Sequence, residues 1–174
     1  MASTALSREI GRLTAPAIRA ASADDRLAVA ALESAQAMLS SMLDTALAPQ
    51  QRLAMIRRIW RGYSGLGIWR LKAGHLEAAL EALFHALGMK EVDPRRQGGV
   101  RDGLIQALDG MARLKAERIA RLLGQGDRSA ARAELEPLLA HIQRAREGGV
   151  AKKKLAAVSA RAQELTTQVE QPGE

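Results

Sequence analysis

Three histidines, His75, His85 and His141, are the residues of this chain best suited to metal ligation or proton transfer, and their spacing speaks against both. Two histidines of a helical metal site fall three or four residues apart, ideally beside a carboxylate. His75 and His85 are ten apart, and Glu77 and Glu81 between them occupy a different helix face. The run Gly62-Tyr-Ser64-Gly65-Leu-Gly67 sets a hydroxyl among glycines. A nucleophile elbow needs a strand before its serine and a glycine two residues after it, where Leu66 stands. A phosphate loop needs a preceding strand and a following Lys-Ser/Thr. Glycines lining a helix face for close packing account for the run better. The carboxylates stand singly or as exposed i,i+4 pairs such as Glu77 and Glu81. The expectation is therefore a protein that is not an enzyme and uses neither cofactor nor metal.

The cations are more suggestive. Arg57, Arg58 and Arg61 form one group, and Arg95, Arg96 and Arg101 a second. Arg113, Lys115, Arg118 and Arg121 form a third, and Lys152, Lys153 and Lys154 a fourth. The formal charge is +7, and residues 112–161 carry twelve Lys/Arg against five Asp/Glu, so the excess lies in the C-terminal half. Such groups attract phosphates, anionic lipid or an acidic protein. The four aromatics all fall within 60–84, on apolar helix faces rather than among the cations, so no base-stacking surface is expected. The candidate partner-binding residues are Arg57, Arg58, Arg61, Arg95, Arg96, Arg101, Arg113 and Arg118.

Helices must position these side chains. Ala, Leu, Arg, Glu and Gln dominate, aromatics are 2%, and β-branched residues are sparse, so strands have little to grow from. The expected fold is all-α, with six to seven helices as antiparallel hairpins in an array or a bundle. A first helix over 3–15 is disturbed by Pro16. Ser22-Ala-Asp24-Asp25 then caps a second that runs to Leu47, with Leu27, Ala31, Ala35, Met38, Met42 and Ala46 along its stripe. A third, over 50–73, carries two apolar stripes: Leu53, Ile56, Trp60, Tyr63 and Gly67, and Met55, Ile59, Leu66 and Trp69.

A short helix over 75–87 follows Gly74. Residues 88–103, rich in Gly and holding Asp93-Pro94, predict a loop. A fifth helix covers 101–123. A sixth, over 128–147, should be kinked or divided by Pro137. The last bears Leu155, Val158, Ala162, Leu165 and Val169 at heptad spacing, a stripe that wants one partner helix from its own chain or a second copy. Domain organisation is read as one helical domain over 1–149, a heptad helix over 150–170 that serves as cap or dimer seam, and a tail over 171–174.

One stretch resembles a known family. Tyr63, Leu66-Gly67, Gly74-His75, Ala79-x3-Leu83 and Ala86-Leu87 look like a single tetratricopeptide-repeat hairpin. Tyr63 stands where the pattern has Trp, Leu83 where it has Phe, and Arg70 departs from the expected Tyr. Gly126-Asp127, Ala131-x3-Leu135 and Leu138-Leu139 form a weaker echo, 52 residues on rather than 34. The resemblance implies a concave helical surface that holds a peptide or protein, and carries over no ligand-binding residue.

With no cysteine and no leader-like apolar run, the expected setting is the cytoplasm. The expected function is that of an adaptor, scaffold or chaperone-like protein, with another protein or peptide as partner. The alternative is association with nucleic acid through the basic face. A homodimer is possible through the last helix.

Overall fold

A computed structural model describes residues 2–18, 25–41 and 48–171. Among them the chain forms seven α-helices and no strand: α1 (Ala2–Ile18), α2 (Asp25–Ser41), α3 (Pro49–Lys72), α4 (Leu76–Leu87), α5 (Gly98–Gly124), α6 (Arg128–Glu147) and α7 (Ala156–Glu170). A 3-10 helix, Pro94–Gln97, precedes α5. The fold is all-α, as composition requires. No helix among the described residues is long and apolar enough to cross a membrane.

The chain divides into two compact units, Met1–Arg101 and Asp102–Glu174. The division falls inside α5, whereas the sequence reading put 1–149 in one domain and set 150–170 apart.

In the first unit α3 is the central helix, packed against α1, α2 and α4. Its buried face is Met55, Ile56, Ile59, Gly62, Tyr63, Leu66, Gly67 and Arg70. α1 contributes Leu6 and Ile10, and buries Thr14, whose hydroxyl donates to the Ile10 carbonyl at 2.8 Å. On α2 the buried stripe is Ala28, Leu32, Ala35 and Leu39, not the expected one, and Leu27 is 67% exposed. Both stripes have helical spacing, but only the observed one puts Leu32 opposite Gly62, where a side chain on the glycine would collide with it. Of the expected second helix, the cap Ser22-Ala-Asp24 and the stripe residues Met42 and Ala46 lie outside the described residues.

The α3/α4 hairpin is held by small residues. Ala79, Ala82 and Ala86 are buried beside Leu80, Leu83, Phe84 and Leu87. Full burial of each leucine is worth about 1.5–3 kcal/mol. Arg70 is buried where the repeat pattern has Tyr, and its Nη1 donates to the Ala78 carbonyl at 2.8 Å, tying the end of α3 to the first turn of α4.

In the second unit α6 presents Ala131, Leu135, Leu138, Ile142 and Ala145 to α7. α7 answers with Val158, Ala162, Leu165 and Val169, and Leu155 is buried in the turn before it. The pairing is antiparallel: Arg128 of α6 donates to the carbonyls of Val169 and Gln171, while Arg146 Nη2 donates to Ser159 Oγ at 2.9 Å. The heptad stripe is thus occupied by its own chain. α6 is not divided by Pro137, which sits exposed within it. α7 starts later than expected, so Lys152, Lys153 and Lys154 lie in the turn ahead of the helix.

Three helices end in the same way. His75 N–H donates to the Arg70 carbonyl and Gly74 N–H to Leu71; Asp127 and Gly126 do so to Leu122 and Leu123, and Val150 and Gly149 to Ala145 and Arg146. The three glycines have φ of 81°, 78° and 81°. This six-to-one and five-to-two pair of bonds is the Schellman termination, which needs a left-handed residue that glycine supplies without strain. The echo between Gly74-His75 and Gly126-Asp127 has this physical basis, and Gly149-Val150 is a third instance.

Residues 88–103 are more ordered than a loop. Asp93 Oδ1 accepts from the Arg95 amide at 2.9 Å, Gln97 is buried and donates to the Met89 carbonyl at 3.2 Å, and Val92 and Val100 are buried. These bonds set the register from which α5 begins at Gly98, despite a propensity cost of about 1 kcal/mol for each helical glycine.

Candidate functional site

Opposite its buried face, α3 carries a second stripe. Arg57, Arg61, Ser64, Ile68 and Lys72 follow at spacings of four, three, four and four, which keeps them on one side of the helix. None of the five is fully buried. Two clefts open along this side.

The first cleft, of about 320 Å³, is lined by Ser7 of α1 and by Ala54, Met55, Arg57, Arg58 and Arg61 of α3. Arg58 Nη1 donates to the Ser7 carbonyl at 3.4 Å and lies directly over Gly11, where any Cβ would overlap it. The Nε of Arg57 is buried without an acceptor among the described residues. No carboxylate pairs with any of the three guanidiniums among the described residues. Like charges this close on a helix repel one another, so an anion between them relieves a cost already present in the fold.

The second cleft, of about 500 Å³, lies one to three turns along. Trp60, Ser64, Gly65, Ile68, Trp69 and Lys72 of α3 form one wall, and Arg96, Gly99 and Val100 the other. The two tryptophans, assigned to core stripes in the sequence reading, are half-buried here because the buried face of α3 runs between those stripes. Trp60 Nε1 is buried with no hydrogen-bond acceptor among the described residues. A Cβ on Gly99 would meet nothing, so this glycine leaves the cleft wide on that side. The rim carries the cations Lys72 and Arg96, both exposed.

The other cations that were singled out are placed differently. Arg95 is exposed outside both clefts, and Arg101 Nη1 donates to the Pro94 carbonyl at 3.2 Å. Arg113 pairs with Asp109 at 2.6 Å, and Arg118 approaches Glu134 at 3.7 Å. Lys115 is buried against Glu134 at 2.5 Å, and so belongs to the packing of α5 rather than to a basic face. Lys154 and Arg161 sit on Asp102 and Asp109 at 2.7 and 3.0 Å. Arg113, Lys115, Arg118, Lys154 and Arg161 thus sit on carboxylates, while none of the trio on α3 does among the described residues. Leu155, Val158, Ala162, Leu165 and Val169 are buried inside the second unit.

His85 stacks on Tyr63 with ring centroids 4.9 Å apart, and His75 is the exposed residue ahead of α4. No group of three or more His, Cys, Asp or Glu that could hold a metal ion occurs among the described residues. Ser64 Oγ donates to the Trp60 carbonyl at 2.8 Å, and Gly62 and Gly67 pack on Leu32 and Leu83, as close helix packing requires.

Sequence reasoning singled out the three arginines of α3 but not Ser7, Gly11, Gly99 or the exposure of the tryptophans. The four-residue spacing from Arg57 to Lys72 was the available signal. No family model, curated protein or solved structure matches the chain.

Proposed function

We propose that the unit Met1–Arg101 binds a short segment of a partner protein in the Trp60–Trp69 cleft, and that the protein works as an adaptor. The observation that carries this reading is the apolar cleft between Trp60 and Trp69, beside which the Trp60 indole N–H is buried with no acceptor among the described residues. A buried donor without a partner costs about 1–3 kcal/mol, and a backbone carbonyl of an incoming segment removes that cost. Tryptophan is also the residue type that most often anchors protein interfaces. Lys72 and Arg96 on the rim select a segment with acidic residues beside an apolar anchor. A tetratricopeptide-like arrangement of the hairpins fits the same use. The nucleic-acid alternative draws less support, because Arg113, Lys115, Arg118, Lys154 and Arg161 already sit on carboxylates.

The test is selection from a displayed peptide library, followed by titration of the selected peptides against the full chain by tryptophan fluorescence. Enriched sequences should share an apolar residue flanked by Asp or Glu. Trp60→Phe should weaken binding about five- to tenfold, the worth of one hydrogen bond. Gly99→Leu should block the cleft without lowering stability, since its side chain enters open space. Peptides that bind Gly99→Leu as tightly as the parent protein would overturn the reading.

A further inference from the structure

We infer that the Arg57–Arg58–Arg61 cleft binds a phosphomonoester dianion, carried as a phosphorylated side chain by the segment that enters the Trp60–Trp69 cleft. The phosphate site stands on its own geometry; only its source rests on the peptide-binding reading. Three guanidiniums converge on one concavity of about 320 Å³ whose remaining lining is Ser7, Ala54 and Met55. Planar guanidinium forks match phosphate oxygens in pairs, and a dianion offsets more of the mutual repulsion than a carboxylate does.

The cleft is built rather than incidental. Arg58 is held by the Ser7 carbonyl and by the absence of a side chain at Gly11, so α1 fixes where its guanidinium points. Glycine within a helix costs about 1 kcal/mol against alanine, and seating Arg58 is what this glycine provides. From Arg61 to Ile68 the helix advances about 10 Å, a distance that about three extended residues span. One peptide therefore reaches both clefts on the same side of α3.

The test uses the full chain and two probes, inorganic phosphate and a cleft-binding peptide with and without phosphoserine about three residues from its apolar anchor. Calorimetry should find one saturable phosphate site, stronger at pH 8 than at pH 5.5 because loss of the second phosphate proton gives the dianion. Arg58→Gln and Arg61→Gln should each weaken it about tenfold or more. Gly11→Ala should weaken it several-fold while the urea midpoint stays level or rises, separating displacement of Arg58 from misfolding. Phosphorylation should tighten the peptide about tenfold in the parent chain and have no effect in Arg58→Gln. Phosphate binding that is unchanged in Arg58→Gln and Arg61→Gln overturns the site. Peptide binding that ignores phosphorylation overturns the shared segment and leaves the Trp60–Trp69 reading standing. Phosphate binding without any peptide binding keeps the arginine site and overturns the peptide reading.

Discussion

Gly67 and Leu83 meet so closely that a Cβ on the glycine would lie 2.6 Å from Leu83 Cγ and 3.2 Å from its amide nitrogen. The leucine side chain can turn aside, but the backbone of α4 cannot without opening the hairpin. Gly67→Ala is expected to lose about 1–3 kcal/mol to overpacking, offset in part by a helix-propensity gain of about 1 kcal/mol. Leu83→Ala alone should cost about 2–5 kcal/mol. The double variant should cost less than the two together, because each change makes room for the other. Urea denaturation of the four chains checks this.

Lys115 is 6% exposed and shares a 2.5 Å bond with Glu134, and Arg118 lies 3.7 Å from the same carboxylate. The hydrogen bond from Lys115 holds the Glu134 carboxyl below its ordinary pKa, against the opposing effect of burial. Stability from this group is present above the unfolded value of 4.5 and is lost as pH falls through the lower folded value. Glu134→Gln strands the ammonium and is expected to cost about 2–4 kcal/mol at pH 7. The loss of stability on going below pH 4.5 should be shallower in this variant than in the parent. Thermal unfolding from pH 3 to 7 measures both effects.

Tyr63 titrates on the alkaline side. Burial, reinforced by the Glu33 carboxylate, pushes its hydroxyl up to about 12 from 10. The raised value means the neutral form is favoured in the fold. Its contribution is complete below pH 10 and disappears as pH rises towards 12. Tyr63→Phe, which gives up only a 3.4 Å bond to Gln36, should remove that part of the alkaline decline. Urea midpoints of both chains between pH 8 and 12 decide it.

Much of this architecture is written in the chain. The stripe from Leu155 to Val169 announces a single partner helix, and α6 supplies it with Leu135, Leu138 and Ile142 at matching spacing. Gly74 and Gly126 mark two helix ends because only a left-handed residue closes those bonds. The phase of α2 was not legible: Ala31 and Ala28 are equally apolar, and the choice falls to Leu32, which packs where Gly62 has no side chain to collide with it. Nor does composition tell which cations are neutralised. Lys115 reads as surface charge until Glu134, 19 residues on, is folded against it. The candidate site suffers most from this, since nothing in the sequence tells that Arg113 and Arg118 sit on carboxylates while, among the described residues, Arg57, Arg58 and Arg61 stay off them. Their roof, Ser7 and Gly11, comes from 47 to 51 residues away on α1.

The three Schellman turns bear on how quickly the molecule reaches its fold. Three residues, Ala73 to His75, join α3 to α4, and three more, Gln125 to Asp127, join α5 to α6. Closing a short loop needs about 10–100 ns, and helix partners adjacent in sequence keep contact order low, as in helical proteins that fold within microseconds to milliseconds. Each left-handed glycine reverses the chain at a fixed place before any distant partner has to be found, so the search for the native arrangement begins from preformed hairpins rather than from an open coil.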